Sequence, residues 1–369
     1  MMHEGWVVIL VAVGYILLLF AIASYGDRMP RRVFHGRGRP LIYALSLSVY
    51  CTSWTFYGSV GGASRNGIEF LTIYIGPLLV FGLGYTLLRR IIRIAKTESI
   101  TSIADFIGAR YGKSQSVAAV ATIIAVIGII PYIALQLKAV SLSITTMVGP
   151  LITPAESYFP VFDDITLLIA IGMAVFTWLF GTRHIDATEH QEGLMLAIAS
   201  EAIVKLIAFL AIGAWVTFTL YDGPIDLVRA ISGAPEVAAV FERPLNHENW
   251  LVMTGLSSFA VLMLPRQFHV MVTENNSEGE LRRAVWLFPL YLILINLFVV
   301  PIAAAGLLRF GQDINPDTFV LALPLDAGEH WLAMFAFIGG LSAATAMVIV
   351  ATVALAIMIC NDIVVPLIL

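Results

Sequence analysis

Glu201 and Lys205 are the two side chains whose placement asks most of chemistry in this sequence. They stand four positions apart, one helical turn, in the middle of the apolar run 192–219. Ionisable groups are costly at such a position and stay there for a reason. Either the two neutralise each other or one of them serves a site. A second group lies in the apolar run 41–62: Ser46, Ser48, Cys51, Thr52, Ser53 and Thr55. Hydroxyls at membrane depth need partners, and small side chains let a neighbouring helix or a ligand approach the backbone. Such a helix can also open for a few residues and aim bare carbonyls at a cation where it lines a cavity. The other reading is a small-residue packing face. No catalytic triad, nucleotide loop, metal-ligand spacing or nucleic-acid stripe is present, and the histidines are scattered. Cys51 and Cys360 both fall in apolar runs, so no disulfide framework is indicated.

Positioning these groups requires membrane helices. The chain is 59% hydrophobic and 12% charged, with a mean hydropathy of +0.89, the composition of an all-α polytopic membrane protein. Apolar runs of about 20 residues predict nine spans, at 5–25, 41–62, 70–92, 116–147, 164–181, 192–219, 250–273, 284–308 and 330–359. Residues 5–25 lack the cleavage pattern of a signal peptide and read as a retained first span. The fourth span is over-long and carries Pro131, which predicts a tilt or kink.

Basic residues predict orientation. Fourteen lie in the loops at 26–39 and 89–113 and at Arg183, Arg282 and Arg283, against four on the other side, Arg65, Arg229, Arg243 and Arg309. The positive-inside bias places the N-terminus outside and the C-terminus in the cytoplasm. The long outer segments, 148–163 and 220–249, read as connectors or lids, the second with a short surface helix near Asp226–Ser232. Span nine closes on Cys360-Asn361-Asp362 and the sequence stops mid-pattern at Leu369, which reads as the front of something longer.

Three motifs and three further segments then carry a resemblance. Ser102-Ile103-Ala104-Asp105-Phe106 running into Arg110-Tyr111-Gly112, and Thr188-Glu189-His190-Gln191-Glu192-Gly193-Leu194-Met195, are similar to loop motifs of the sodium/solute symporter family. In the second, Glu189 replaces Asp and Glu192 replaces Gln. Gln267-Phe268-His269 resembles that family's Gln-Pro-His segment in a broken helix. Pro131 to Ala139, Leu264 to Val270 with Glu274-Asn275, and Gly339 to Thr345 look most like symporter-type membrane domains fused to bacterial sensor histidine kinases. The resemblance covers residues 5–369. It implies a partial inverted-repeat (LeuT-like) symporter fold: an extra N-terminal helix at 5–25, a first five-helix repeat over 41–219 and an incomplete second repeat over 250–369, with a site between the repeats near mid-membrane. It implies the solute-binding or transport front end of a two-component sensor histidine kinase for an amino acid or small carboxylate. The alternative is a free-standing sodium-coupled transporter. No catalytic domain lies in these residues. The implied partners are a lipid bilayer (the bacterial inner membrane), a small organic solute, a cytoplasmic kinase module in the same polypeptide and its response regulator, and no nucleic acid.

The resemblance also implies a sodium ion held by carbonyls of the first repeat helix and hydroxyls of the eighth. Carried over on Ser53-Trp54 and Gly58, the carbonyls are those of Ser48 and Cys51, and the hydroxyl positions fall on Ser342, Ala343 and Thr345. Ala343 stands where members often place a second hydroxyl, and Tyr50 where some place an Asp. With that site weakened, Lys205 becomes a candidate built-in cation. It lies about 24 Å along its helix from Glu189, deep enough to reach between the first and eighth repeat helices, with Glu201 modulating it. For the solute, Tyr50, Trp54, Tyr132, Gln136, Phe259 and Gln267 are candidates, because amides satisfy polar groups and aromatics cover apolar ones. Ordinary packing is the other reading of each. Pro265 predicts a break in the seventh span, beside an Arg266 that either serves the site or snorkels outward.

Overall fold

The computed structural model describes residues 5–28, 38–149, 167, 169–175, 178–179 and 191–368. The described residues form helices and turns only. Six helices are long and apolar enough to cross a membrane, or seven if one bent pair counts as a span. Most of the fifth expected span, 164–181, lies outside the described residues.

Helix α1 (Gly5–Arg28) buries Val8, Ala12, Tyr15, Leu19, Ala23 and Gly26, a stripe at three- and four-residue spacing. That stripe meets α8 (Glu192–Trp215). A Cβ on Gly26 would fall 2.7 Å from the Gly193 backbone, so glycine sets how closely the two helices approach. The expected continuous span 41–62 is instead broken. Helix α2 (Arg39–Ser46) starts on a proline in its first turn and tightens into a 3-10 turn at Leu47–Tyr50. Cys51 then turns extended (φ −83°, ψ 98°). The chain resumes as a π turn, Trp54–Gly58, and as α3 (Ser59–Asn66). The hydroxylated residues lie at and around this opening. Gly67, at φ +61°, ends α3 in a conformation that disfavours side chains. Helix α4 (Thr72–Leu83) and α5 (Tyr85–Thr97) follow, separated at Gly84, where the sequence predicts one span, 70–92.

Helix α6 (Ile103–Arg110) is capped by Ser102, whose hydroxyl accepts from the Asp105 amide at 3.0 Å. Helix α7 (Gln115–Val148) runs for 34 residues as one helix through Pro131. Beyond α8, two short helices, α9 (Pro224–Ser232) and α10 (Pro235–Phe241), occupy the connector, and α9 matches the expected surface helix. Helix α11 (His247–Met263) meets α12 (Pro265–Phe268) at Leu264, and the pair is bent by 54°. Pro265 has no N–H to continue the ladder, which accounts for the predicted break. Another π turn, His269–Thr273, completes this arm.

The remaining helices are α13 (Glu278–Asn296), α14 (Val299–Phe310), α15 (Phe319–Asp326), α16 (His330–Ile359) and α17 (Val365–Ile368). Helix α16 is the most buried and packs on α7 and α8. Its small residues permit this. A Cβ on Gly339 would fall 2.5 Å from the Ala208 Cβ, and one on Gly340 would fall 1.8 Å from the Tyr57 hydroxyl. Helix α8 thus lies between α16 on one side and the broken segment 47–53 on the other.

Candidate functional site

Lys205 is 1% exposed. Its Nζ donates to the Ser48 carbonyl at 2.9 Å and the Cys51 carbonyl at 2.8 Å. The Ser48 carbonyl also accepts from the Cys51 amide at 2.8 Å, and with Cys51 extended the α-helical hydrogen-bond ladder is interrupted there, which leaves both oxygens within reach of the ammonium. Glu201, one turn earlier, faces α16. The Thr345 hydroxyl donates to its carboxylate, and the Ser342 hydroxyl donates to its backbone carbonyl at 2.8 Å. No ion pair within 4.0 Å joins Glu201 to Lys205. Each side chain's hydrogen bonds go to a different element. Glu189, the other member of that expected group, lies outside the described residues.

The residues assigned to sodium by resemblance are therefore brought together but are already engaged. Ser48 and Cys51 present their carbonyls to an ammonium, while Ser342 and Thr345 spend their hydroxyls on Glu201. Ala343 is buried between them and supplies no donor. This set does not fit a bound cation, since the protein's own cation takes the carbonyls.

Two cavities flank Trp54 and Tyr132. One, of about 250 Å³, is lined by Ser53, Trp54, Tyr57, Tyr132, Gln136 and Asp317 among others. There the Gln136 carbonyl oxygen accepts from the Ser53 amide at 3.1 Å and the Ser53 hydroxyl at 2.7 Å. The second, of about 390 Å³, is lined by Tyr50, Thr52, Trp54, Tyr132, Ile129 and Arg266 among others. Tyr50 donates to the Ile73 carbonyl at 2.8 Å, and Thr52 and Tyr132 share a hydrogen bond of 3.0 Å. Arg266 is 3% exposed and lies over the Tyr132 ring at 5.1 Å, so it does not snorkel outward.

Of the six expected solute residues, Tyr50, Trp54, Tyr132 and Gln136 line these cavities. Gln267 and Phe259 line neither. Gln267 is buried and donates to the Leu47 carbonyl at 3.3 Å, so it braces the broken segment. Phe259 is 64% exposed on α11, the placement of an outward-facing residue on an apolar helix. Sequence reasoning also missed a buried polar cluster. Arg39, counted there as a loop cation, is 3% exposed; it donates to the Glu274 carbonyl at 3.0 Å and lies 3.4 Å from the Glu280 carboxylate. The signal was Glu280, an acid just ahead of the apolar run 284–308 and in need of a partner.

No family model matches the chain. The uncharacterised symporter YhjB of Bacillus subtilis (strain 168) is 24% identical over 318 residues, 85% of this chain and 60% of that protein. The uncharacterised symporter YodF of the same organism is 22% identical over 287 residues, 78% of this chain and 54% of that protein. This chain therefore spans little more than half the length of these relatives. A solved structure of a Na+-coupled sialic acid symporter, in a substrate-bound outward-open state, aligns with a TM-score of 0.66 at 16% identity, over 96% of this chain and 74% of that one. The chain shares the fold of that symporter and is a multi-pass membrane protein with symporters among its relatives. The expected link to a histidine kinase gains no support from them.

Proposed function

We propose that this chain is the solute-binding membrane domain of a symporter-type secondary transporter, in which Lys205 stands in for a coupling cation. The observation that carries the reading is the pair of bonds from the Lys205 ammonium to the Ser48 and Cys51 carbonyls. A fixed charge there holds the opened helix to α8 without a bound ion. The solute would occupy the space beside Trp54 and Tyr132, which both cavities share. An amino acid or a small carboxylate is the solute class. The named symporters among the relatives favour transport over a sensor-kinase front end. The surroundings would be a bacterial plasma membrane, with the N-terminus outside and the C-terminus in the cytoplasm.

The test is solute uptake into liposomes containing the full-length protein, with sodium on both sides or with choline in its place. The reading expects uptake in both, reduced by Trp54→Ala. Uptake that is absent in both salts, or that vanishes in choline, refutes it.

A further inference from the structure

Arg266 has no acid. Its Nε and Nη1 atoms are buried and have no hydrogen-bond partner. No carboxylate among the described residues lies within ion-pair distance of it, and its guanidinium lies over the Tyr132 ring face at 5.1 Å. A guanidinium stays charged in a protein and carries five donors. A buried charge of this kind is retained with a partner or at a cost. The neighbouring charges do not supply that partner. Lys205 adds a second cation at the same broken segment, and Glu201 is engaged by α16. Neither of these neighbours offers Arg266 a carboxylate, so an anion is the partner its guanidinium calls for.

The cavity that Arg266 lines indicates what kind of anion fits. At about 390 Å³ it has the volume of a small-ligand site. Neither Asp nor Glu lines it, and besides the Tyr50, Thr52, Thr55 and Tyr132 hydroxyls and the Trp54 indole its walls are apolar: Ile73, Ala125, Ile129 and Leu264. A single guanidinium matches one carboxylate through its planar fork. A doubly charged anion would leave one charge uncompensated. A zwitterionic amino acid would bring an ammonium into a cavity that has a cation on its wall and no carboxylate to receive it. We infer that Arg266 anchors the carboxylate of a small monocarboxylic acid whose hydrocarbon body lies against α7, and that amino acids are excluded. This rests on the solute-binding reading above and narrows it.

The experiment is calorimetric titration of the full-length protein in nanodiscs with propionate, with its neutral isostere propionamide, and with L-alanine. Propionate is expected to bind, and the other two at least about tenfold more weakly. Arg266→Gln should weaken propionate at least about tenfold, with Arg266→Lys in between, since it keeps the charge and loses the fork. Gly128→Val serves as a second variant should Arg266→Gln misfold. A Cβ at Gly128 meets nothing within 4 Å and projects from a cavity wall, so this change should lower propionate affinity in a folded protein. Equal binding of propionate and propionamide, or undiminished propionate binding by a folded Arg266→Gln or Gly128→Val, overturns the inference. Binding of propionamide or alanine in a Trp54-dependent manner, without propionate, overturns it and leaves the solute-binding reading intact. Binding of none of the three overturns both.

Discussion

The Lys205 ammonium donates to the Ser48 carbonyl across 2.9 Å of buried space. Ser48 belongs to the first broken helix and Lys205 to α8, so one hydrogen bond ties an opened segment to a continuous helix. The Cys51 carbonyl, at 2.8 Å, completes the clasp. Glu201 makes the corresponding link on the other side of the region, to Thr345 and Ser342 of α16. Helix α8 therefore holds two elements, the opened segment and α16, with its own polar side chains.

The approach of α16 to the π turn depends on Gly340. A Cβ there would fall 1.8 Å from the Tyr57 hydroxyl and 2.2 Å from its ring carbon Cζ. Gly340→Ala is expected to destabilise the protein by about 1–3 kcal/mol, the usual cost of overpacking. Combining it with Tyr57→Ala should recover part of that loss. A double-mutant cycle by thermal unfolding in detergent measures the coupling, and strictly additive effects would show that the two residues do not meet.

Arg39 and Glu280 form a buried pair whose side chains are each 3% exposed. Removing one partner leaves the other charge buried alone. Arg39→Ala should therefore cost about 3–5 kcal/mol, and Arg39→Met with Glu280→Leu much less. A single mutant as stable as wild type would mean that the pair does not form.

Sidedness is tested by single cysteines. Positions 111 and 113, exposed between α6 and α7, should react with a membrane-impermeant maleimide only after the cytoplasmic side is opened. Positions 229 and 243 should react from outside in intact cells. External labelling at 111 would reverse the topology.

Much of this arrangement was legible in the sequence, and the rest was hidden for physical reasons. The hydroxyl run from Ser46 to Thr55 marked the opened helix, because polar groups at membrane depth need a purpose, and Pro265 marked the second break. Lys205 and Glu201 were conspicuous as charges in an apolar run. Their separation was not readable. Spacing of one turn puts them on one face, but whether they pair depends on what competes for each, and here Ser48, Cys51 and Thr345 win. Gln267 and Phe259 show the same limit. Both lie near the break, and only packing decides that one braces Leu47 while the other faces outward. Arg39 looked like a loop cation because its partners, Glu274 and Glu280, are more than 230 positions away.

The central claim is that Lys205 takes the place of a coupling cation, and the most direct measurement is solute affinity of the full-length protein in sodium and in choline, for wild type and Lys205→Ala. Wild type should bind equally in both salts. Lys205→Ala should lose at least about tenfold in choline, having lost two charge-assisted hydrogen bonds, and should regain part of that loss when sodium is returned. A wild type that loses binding without sodium, beside a mutant that behaves identically, would contradict the account.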